Sequence, residues 1–328
     1  MSKYLKLIFG ILISISGLYY AFKGIDFVEL LLIMKQMNLF YGFIALFILL
    51  ASNIIRTLRW QILVYPIKNI SFNPAFSSIM IGYFGNSVLP FRMGEFLRAY
   101  ILAEQTSLNA PTAFGTIVTE RILDFVGLSF IMLIILFVYP SELIGQRIII
   151  GVVVLSLSAF LFVFYFSQIK KYFSFKKDNI KLIQIPIVSK IINVFMKLIN
   201  GAVAIRSTNK VMLILFHTIL IWVMYFFSTY FALLSTGISI KWYETCVLII
   251  STTLAISIPA APAYVGTYHA TVVYVLTSLF YIDQLEAQAS AIIIHAVGTI
   301  PFIFIGAWYF MKSSFRIKEL NKQEIINS

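Results

Sequence analysis

Cysteine and charged residues are both scarce in this sequence. A single cysteine, Cys246, stands among 328 residues, which excludes an intramolecular disulfide framework and a zinc site built on several cysteines. It lies in an apolar run, where a small packing residue is the simplest interpretation. Charged residues make up only 12% of the chain, whereas a soluble domain usually has about 25%. This shortage of charge argues against an ordinary soluble domain.

Enzyme and metal signatures are also missing. The sequence contains no G-x-x-x-x-G-K-[ST] phosphate loop, no G-x-S-x-G elbow and no H-E-x-x-H motif. The longest polar stretch, 168–210, is too short for a catalytic domain. Three histidines, His217, His269 and His295, lie in apolar runs without the spacing of metal ligands. We therefore expect no metal, no cofactor and no soluble catalytic domain, and either a packing or a cavity-lining role for each histidine.

Apolar residues dominate what is present. They make up 60% of the chain, and the mean hydropathy is +0.94. Several apolar runs reach about 20 residues, the length that crosses a hydrocarbon core of about 30 Å as a helix. Backbone groups find no water in a bilayer, so the spans must be helices, and the runs do not alternate as barrel strands do. The sequence predicts an all-α polytopic protein of the cell membrane, with one integral membrane domain over 1–328.

The order of the runs predicts about six full spans and two broken or re-entrant helical hairpins, up to ten membrane segments. The full spans are expected at 5–22, 39–60, 112–139, 146–167, 211–236 and 286–311. The hairpins are expected at 74–107 and 243–282. The first half is then 1–167 and the second 211–312, with a basic loop at 168–210 and a tail at 313–328. The first run continues past its small residues, so we expect a retained span rather than a cleaved signal peptide.

Basic residues are distributed unequally between the loops, and cytoplasmic loops are the ones enriched in them. Four basic regions fall on one side if each hairpin returns to the side from which it enters. They are the N-terminus (Lys3, Lys6), the loop after the second span (Arg56, Arg59, Lys68), the stretch 168–210 and the tail (Lys312, Arg316, Lys318, Lys322). Both termini are therefore predicted to be cytoplasmic. The same rule accounts for the net charge of +12, so we expect no nucleic-acid partner.

Two stretches have the pattern of interfacial helices. In 187–200, lysines and asparagines recur every three or four residues among isoleucines and leucines. This pattern predicts an amphipathic helix on the inner leaflet, where lysine meets anionic lipids. The stretch 26–37 is a weaker outer counterpart.

The two broken segments are related to each other. Pro90 and Gly94 stand four apart in the first, as do Pro262 and Gly266 in the second, so LPFRMGEFLRAYIL aligns with APAYVGTYHATVVY. The predicted topology makes the two segments enter from opposite faces, as an inverted repeat requires. The helix after Gly94 covers about half the hydrocarbon core, which places the first break near mid-membrane. Whether the second hairpin is re-entrant or made of two tilted spans stays open.

Six charged residues lie well inside the first predicted hairpin and the third predicted span. They are Arg92, Glu95, Arg98, Glu120, Arg121 and Asp124. An isolated charge at mid-bilayer costs about 2.5–3.5 kcal/mol, so these side chains cannot face lipid. Three are positive and three are negative, and both Glu95 with Arg98 and Arg121 with Asp124 have the spacing of helix neighbours. One interpretation is a structural ion network that joins the third span to the first hairpin.

The other interpretation is an anion site. Arg92 lies between the helix breakers, where its guanidinium can fork onto a phosphate. The N-terminus of the following helix points its N–H groups and positive dipole end at the same place. Arg98 and Arg121 would complete the phosphate site. The three carboxylates would hold a cationic part of the head group or set the charge balance.

At these residues the sequence resembles the lysylphosphatidylglycerol synthase transmembrane family, also described as flippase-like membrane proteins. The family pattern is Asn-x-x-x-Pro-x-Arg-x-Gly-Glu-x-x-Arg, then Glu-Arg-x-x-Asp in the next helix. The matching residues are Asn86, Pro90, Arg92, Gly94, Glu95, Arg98, Glu120, Arg121 and Asp124. Near the second break the chain departs from the family, because His269 stands where a glutamate is common and His295 stands near the place of an arginine. With Tyr264 of the same break, these two histidines complete the candidate substrate-binding residues.

The resemblance implies a lipid translocator without the fused aminoacyltransferase, and therefore not a synthase. The substrate would be a phospholipid or polyprenyl-phosphate lipid bound through its phosphate in a mid-membrane cavity. Two alternatives stay open: a membrane-embedded transferase that uses Glu120 and Asp124 on a lipid-linked substrate, and a non-transporting scaffold for a lipid or glycan synthase. A homo-oligomer or a partner synthase would be compatible with any of these.

Overall fold

The computed structural model describes residues 3–89, 91–138, 150–155, 157–162, 165, 193–194, 196–201, 205, 208–257 and 261–327. Within these ranges the chain forms helices and turns, and no strand. Four helices are long and apolar enough to cross a membrane: Leu39–Val64, Ala110–Val138, Val211–Ser235 and Gln284–Ser313. The predicted helical multi-pass membrane architecture is therefore confirmed at this level. The full number of spans and the side of each terminus stay predictions.

Ten helices carry the architecture of the described ranges. They are α1 (Lys3–Phe22), α2 (Phe27–Lys35), α3 (Leu39–Val64), α4 (Phe72–Val88), α5 (Gly94–Thr106), α6 (Ala110–Val138), α7 (Val211–Ser235), α8 (Trp242–Ser257), α9 (Thr267–Tyr274) and α10 (Gln284–Asn327). A 3₁₀ turn, Pro262–Tyr264, precedes α9, and a π turn, Val275–Leu279, follows it. Shorter helical segments lie within 150–162 and 193–201.

Two described helices run past the ends of their predicted spans: α3 continues to Val64 instead of residue 60, and the last helix continues beyond residue 311. Helix α10 continues to Asn327, so residues 313–327 of the predicted tail are a helical extension, because no proline or glycine in this stretch interrupts the backbone hydrogen bonds. The weaker amphipathic prediction at 26–37 corresponds to α2, whose first turn is capped by Asp26. Most of the predicted basic loop 168–210 lies outside the described residues, as do nine of the 22 residues of the predicted span 146–167, half of the amphipathic stretch 187–200, and Pro90.

The packing of the helices repeats between the two halves. In the first half α4 pairs with α5, and α5 with α6. In the second half α8 pairs with α9, and α9 with α10. Across the halves α3 packs along α7, α4 packs against α10, and α6 packs against α8. Helices α3, α4, α5 and α6 therefore correspond to α7, α8, α9 and α10 in that order. When each helix is replaced by its counterpart, every contact named above becomes another contact of the same set or stays the same, as in a repeat related by a two-fold axis.

Each half has an apolar core of its own. One core is built mainly from α3 to α6 and includes Trp60, Met80 and Leu102. The other is built mainly from α7 to α9 with the end of α6, and includes Leu233 and Val247. The cavity described below is lined by residues of both halves.

Candidate functional site

The two breaks have the same unusual backbone conformation. Phe91 and Arg92 have φ angles of 57° and 56°, and Ala263 and Tyr264 have φ angles of 54° and 59°. These pairs occupy the same positions of the aligned Pro-x-x-x-Gly segments. A non-glycine residue in the left-handed region costs on the order of 1–3 kcal/mol and persists only where its surroundings enforce it. Two consecutive residues of this kind in each break support a common origin for the two hairpins.

Close packing of α5 on α4 holds the first break. A Cβ atom on Gly94 would collide with the carbonyl oxygen of Gly82 and with Asn86, so only glycine fits at this crossing. The N–H groups of Glu95 and Phe96 donate to the carbonyl oxygens of Arg92 and Met93, both at 3.1 Å. These two N–H groups are therefore not available to an anion. The expectation that the start of this helix presents free N–H groups is wrong for them, because the turn itself takes them up.

The second break is held by α1 and α10. Ser14 accepts a hydrogen bond at 3.0 Å from the backbone N–H of Ala261. Gly266 has a φ of 93° and packs so closely on Ser14 that a Cβ atom would collide with its carbonyl oxygen. His295 Nε2 lies 2.8 Å from the carbonyl oxygen of Ala263, at hydrogen-bonding distance. Neighbouring helices thus fix a conformation that the local sequence alone would not retain.

Buried ion pairs join α5 and α3 to α6. Arg98 donates from both terminal nitrogens to the carboxylate of Glu120, at 3.0 and 2.7 Å, and its guanidinium lies 3.8 Å from the ring centroid of Trp60. Arg56 donates to the same carboxylate at 2.6 Å. Glu120 is fully buried and the Arg98 side chain is 4% exposed. This part of the cluster is the structural network that one interpretation of the sequence foresaw, and it occupies Arg98.

Asp124 is the second junction. It accepts hydrogen bonds from Arg59 at 2.7 Å, from Arg56 at 3.0 Å and from Arg121 at 3.2 Å. Arg59 also donates to Thr218 of α7 at 3.0 Å. The assignment of Arg56 and Arg59 to a cytoplasmic loop is therefore wrong. Helix α3 continues through both residues to Val64, and both side chains are buried in ion pairs.

The third part of the cluster is more open. Glu95 Oε1 lies 3.1 Å from Arg92 Nη2 and 3.1 Å from Arg121 Nε. The side chains of Arg92 and Arg121 are 28% and 29% exposed. The expected helix neighbours Glu95 and Arg98 do not pair, because Arg98 turns to Glu120 on the next helix. The expected pair Arg121 and Asp124 is present.

Positive charge exceeds negative charge in this cluster. The five guanidinium groups of Arg56, Arg59, Arg92, Arg98 and Arg121 share three carboxylates. The sequence had suggested three charges of each sign. The two arginines of α3 change that balance and leave a surplus of two positive charges.

A cavity of about 340 Å³ lies against the open part of the cluster. Its wall takes residues from α3, α4, α6, α7, α8, α9 and α10 and from both breaks. Of the predicted site residues, six line it: Asn86, Arg92, Arg121, Asp124, Tyr264 and His295. Glu95, Arg98, Glu120 and His269 lie outside this lining. The predicted hollow between the two broken hairpins is thus present, with part of the predicted residues behind its wall.

Two histidines adjoin the cavity near the second break. The ring centroids of His269 and His295 are 4.6 Å apart, and the ring of Tyr268 lies 5.2 Å from that of His295. His269 is buried, and its Nδ1 has no hydrogen-bond partner. Within the described ranges, no three His, Cys, Asp or Glu side chains gather as metal ligands would. His295 supports the second break through its contact with the Ala263 carbonyl oxygen, and His269 packs behind it.

Sequence reasoning missed Arg56 and Tyr225 as site residues. Both line the cavity, and the Arg56 guanidinium donates to the Tyr225 hydroxyl at 2.9 Å. A signal for Arg56 was present, because it stands with Arg59 inside the apolar run of α3 at helical spacing. Both arginines were instead assigned to a cytoplasmic loop, because cytoplasmic loops are enriched in basic residues.

The chain matches the profile of a known protein family. The profile described as "Lysylphosphatidylglycerol synthase TM region" matches residues 7–306, which include α3 to α9, both breaks and the ion cluster. The chain belongs to this family. The resemblance suggested by the charged motifs is thereby confirmed, and the lysylphosphatidylglycerol synthase TM region family suggests a membrane protein that acts on lipids.

Two curated relatives come from Methanocaldococcus jannaschii. The "UPF0104 membrane protein MJ1078" is 22% identical over 230 residues, which cover 69% of this chain and 93% of the relative. The "UPF0104 membrane protein MJ1595" is 27% identical over 107 residues, which cover 32% of this chain and 31% of the relative. Each is described as a membrane protein. No solved structure matches the chain.

Proposed function

We propose that this protein is a flippase-like lipid transporter of the cell membrane. It binds the phosphate of a phospholipid or polyprenyl-phosphate lipid in the cavity between its two broken hairpins and moves the head group between leaflets. The observation that carries the proposal is the position of a cation-rich cavity where the two repeats meet. Inverted-repeat transporters place their substrate sites at such a junction, between discontinuous helices.

The cavity offers one charged wall and several apolar ones. Arg92 and Arg121 are the exposed guanidinium groups, and a guanidinium forks onto phosphate oxygens. Apolar residues such as Leu49, Phe125 and Phe302 line the same space and suit the first carbons of a lipid. Rocking of one repeat against the other would then expose the phosphate to each side in turn. Both termini are cytoplasmic in this proposal.

The buried ion pairs have a mechanical role in the same proposal. Arg98 and Glu120 tie α5 to α6, and Arg59 ties α6 to α3 and α7. Charges buried in this way are costly to separate. Helices α3, α5 and α6 therefore move as one unit, and the cavity opens and closes beside them.

The geometry counts against the transferase alternative. Glu120 accepts hydrogen bonds from Arg98 and Arg56 on oxygens that are fully buried. Asp124 is occupied by three guanidinium groups. A general acid or base has to reach the substrate proton within hydrogen-bonding distance, and neither carboxylate offers an unoccupied oxygen for that contact.

Leaflet exchange in liposomes tests the proposal. The purified full chain is reconstituted with fluorescent anionic phospholipids, and a membrane-impermeant quencher reports the rate at which labelled lipid reaches the outer leaflet. We expect exchange with the intact protein and a loss of about tenfold or more in Arg92→Gln, because the phosphate loses a charged partner. Lys68→Gln is the matched control, since Lys68 is exposed beyond α3 and its loss leaves the cavity unchanged.

Two results would overturn this function. One is the absence of exchange for every phosphate-bearing lipid tested. The other is an equal rate for the intact protein and Arg92→Gln. A chemical change in the lipid after incubation with an activated donor would instead favour a transferase. Co-purification with a synthase in the absence of any exchange would favour a scaffold.

A further inference from the structure

We infer that the lipid bound in this cavity ends in a phosphomonoester, a dianionic phosphate with three terminal oxygens, rather than in a phosphodiester or an amine-bearing head group. The inference rests on the proposed function and narrows its substrate class. A phosphomonoester carries about −1.5 to −2 charges at neutral pH, whereas a phosphodiester carries one.

The charge surplus is the first argument. Arginine stays protonated in proteins, so the five guanidinium groups of the cluster keep their charge whatever occupies the cavity. Three carboxylates balance three of them. The charged side chains of the cavity wall are Arg56, Arg92, Arg121 and Asp124, and they include no further acid. Two charges therefore remain for a ligand to neutralise, which matches a dianion.

The carboxylates themselves exclude a cationic head group. Each one already meets at least two guanidinium groups: Glu120 meets Arg98 and Arg56, Asp124 meets Arg59 and Arg56, and Glu95 meets Arg92 and Arg121. An ammonium group in the cavity would meet positive charge without an unengaged acid to pair with. Like charges brought together in a low-dielectric space repel strongly.

Glu95 satisfies the guanidinium groups of Arg92 and Arg121 incompletely. Its Oε1 lies 3.1 Å from Arg92 Nη2 and 3.1 Å from Arg121 Nε, but neither contact has the geometry of a hydrogen bond. The Nε atoms of all five arginines of the cluster, Arg92 and Arg121 among them, are buried and make no hydrogen bond within the described part of the chain. A buried donor left without a partner costs free energy. A phosphate with three terminal oxygens can accept from two guanidinium forks at once, whereas a diester has two such oxygens and a bulky substituent.

The size of the cavity points to a small head. A volume of about 340 Å³ lies at the low end of ligand pockets, which range over about 300–1,000 Å³. It accommodates a phosphate and the neighbouring atoms of its chain. A bare lipid phosphate, such as a phosphatidic acid or a polyprenyl monophosphate, fits this space and the surplus charge beside it.

The test compares two lipids that differ by one methyl group on the phosphate. Dihexanoyl phosphatidic acid and dihexanoyl phosphatidylmethanol have the same acyl chains, but only the first is a phosphomonoester. Their dissociation constants for the full chain in detergent are measured by titration calorimetry at pH 7.5. We expect the phosphomonoester to bind about tenfold more tightly, because it adds charge beside fixed guanidinium groups. Affinities equal to within about twofold would overturn the inference.

Charge variants sharpen the comparison. Arg92→Gln should reduce the affinity ratio between the two lipids, because the surplus falls by one charge. Glu95→Gln raises the surplus and should keep or increase the ratio, and Lys68→Gln should leave it unchanged. A ratio that falls in Glu95→Gln, or that stays constant in Arg92→Gln, would contradict the charge argument.

A soluble competitor separates a lipid from a free phosphate. sn-Glycerol 3-phosphate carries the same phosphomonoester without acyl chains and should bind at least about tenfold more weakly than the short-chain lipid, because it buries no apolar surface. Equal affinity would overturn a lipid occupant.

Failure of the inference is distinct from failure of the proposed function. If leaflet exchange occurs with no preference for the monoester, only the inference fails; without any exchange, the function itself fails.

Discussion

The guanidinium carbon of Arg92 lies 5.8 Å from the centroid of the Tyr264 ring. These residues occupy equivalent positions in the two breaks, each two residues after the proline, and both have left-handed backbone conformations. A cation over an aromatic face is attracted to its π electrons. The two repeats therefore touch at residues with left-handed backbone conformations, beside the cavity that both line.

The ring of Tyr264 should matter more than its hydroxyl. Replacing Tyr264 with phenylalanine keeps an aromatic face under Arg92, so we expect lipid exchange within about twofold of the intact rate. Replacing it with alanine removes the face and should slow exchange about fivefold or more, since a contact of this kind contributes about 0.5–2 kcal/mol. The quencher assay in liposomes gives both rates. Equal rates for the two variants would show that the contact between the breaks has no part in transport.

Arg98 should be needed for stability. Arg98→Gln leaves Glu120 buried with part of its bonding lost, and breaking a buried pair in this way costs about 3–5 kcal/mol. Arg92→Gln should cost much less, because Arg92 is 28% exposed. Thermal unfolding of the purified chain in detergent compares the two variants. A stable Arg98→Gln protein with impaired lipid binding would instead return Arg98 to the phosphate site.

Gly94 should not tolerate a side chain. A methyl group there would collide with the backbone of Gly82 and with Asn86, so Gly94→Ala should separate α4 from α5 and destabilise the protein by about 1–3 kcal/mol. Gly151→Ala is the control, since no atom of the described residues lies within 4 Å of its added Cβ, and it should be neutral or slightly stabilising. Both are measured by thermal unfolding. An unfolding midpoint unchanged by Gly94→Ala would show that the hairpin packs less closely than described.

His295 should act through the backbone of the second break. His295→Leu removes the partner of the partly buried Ala263 carbonyl oxygen, and the loss of such a hydrogen bond costs about 0.5–1.5 kcal/mol. His295→Gln keeps a hydrogen-bond donor and should recover most of the stability and of the exchange rate. If His295→Gln lowers the stability and the exchange rate but His295→Leu does not, the histidine has another role. The rates and the unfolding midpoints of the two variants decide between these outcomes.

Much of the fold could be predicted from the sequence, for a physical reason. Apolar runs of spanning length and the Pro-x-x-x-Gly breaks are local signals, and the structure has helices and interruptions at those places, as in α6 and at Arg92. The shared left-handed conformations could not be foreseen, because Ala263 and Tyr264 have no intrinsic preference for them. Tertiary contacts from Ser14 and His295 impose that conformation.

The composition of the site was predicted less completely. Charges within apolar runs correctly marked a buried cluster, but the partners of each charge depend on how helices cross. Spacing along one helix favoured Glu95 as the partner of Arg98, whereas the structure pairs Arg98 with Glu120. Arg56 and Arg59 were placed in a loop because a sequence does not show where a helix meets the membrane surface. The contact of the predicted site residues with a substrate stays a prediction.

The two breaks are alike in backbone but unlike in side chain, and this has a consequence for energetics. In a transporter whose halves exchange roles, perfect symmetry would give the inward-facing and outward-facing forms the same free energy. Here one half presents an arginine and the other a tyrosine at the shared position, and among the described residues a histidine fastens the second break but not the first. In the transporter proposed above, the two forms would therefore differ in free energy, and the form that faces one side would be favoured at rest.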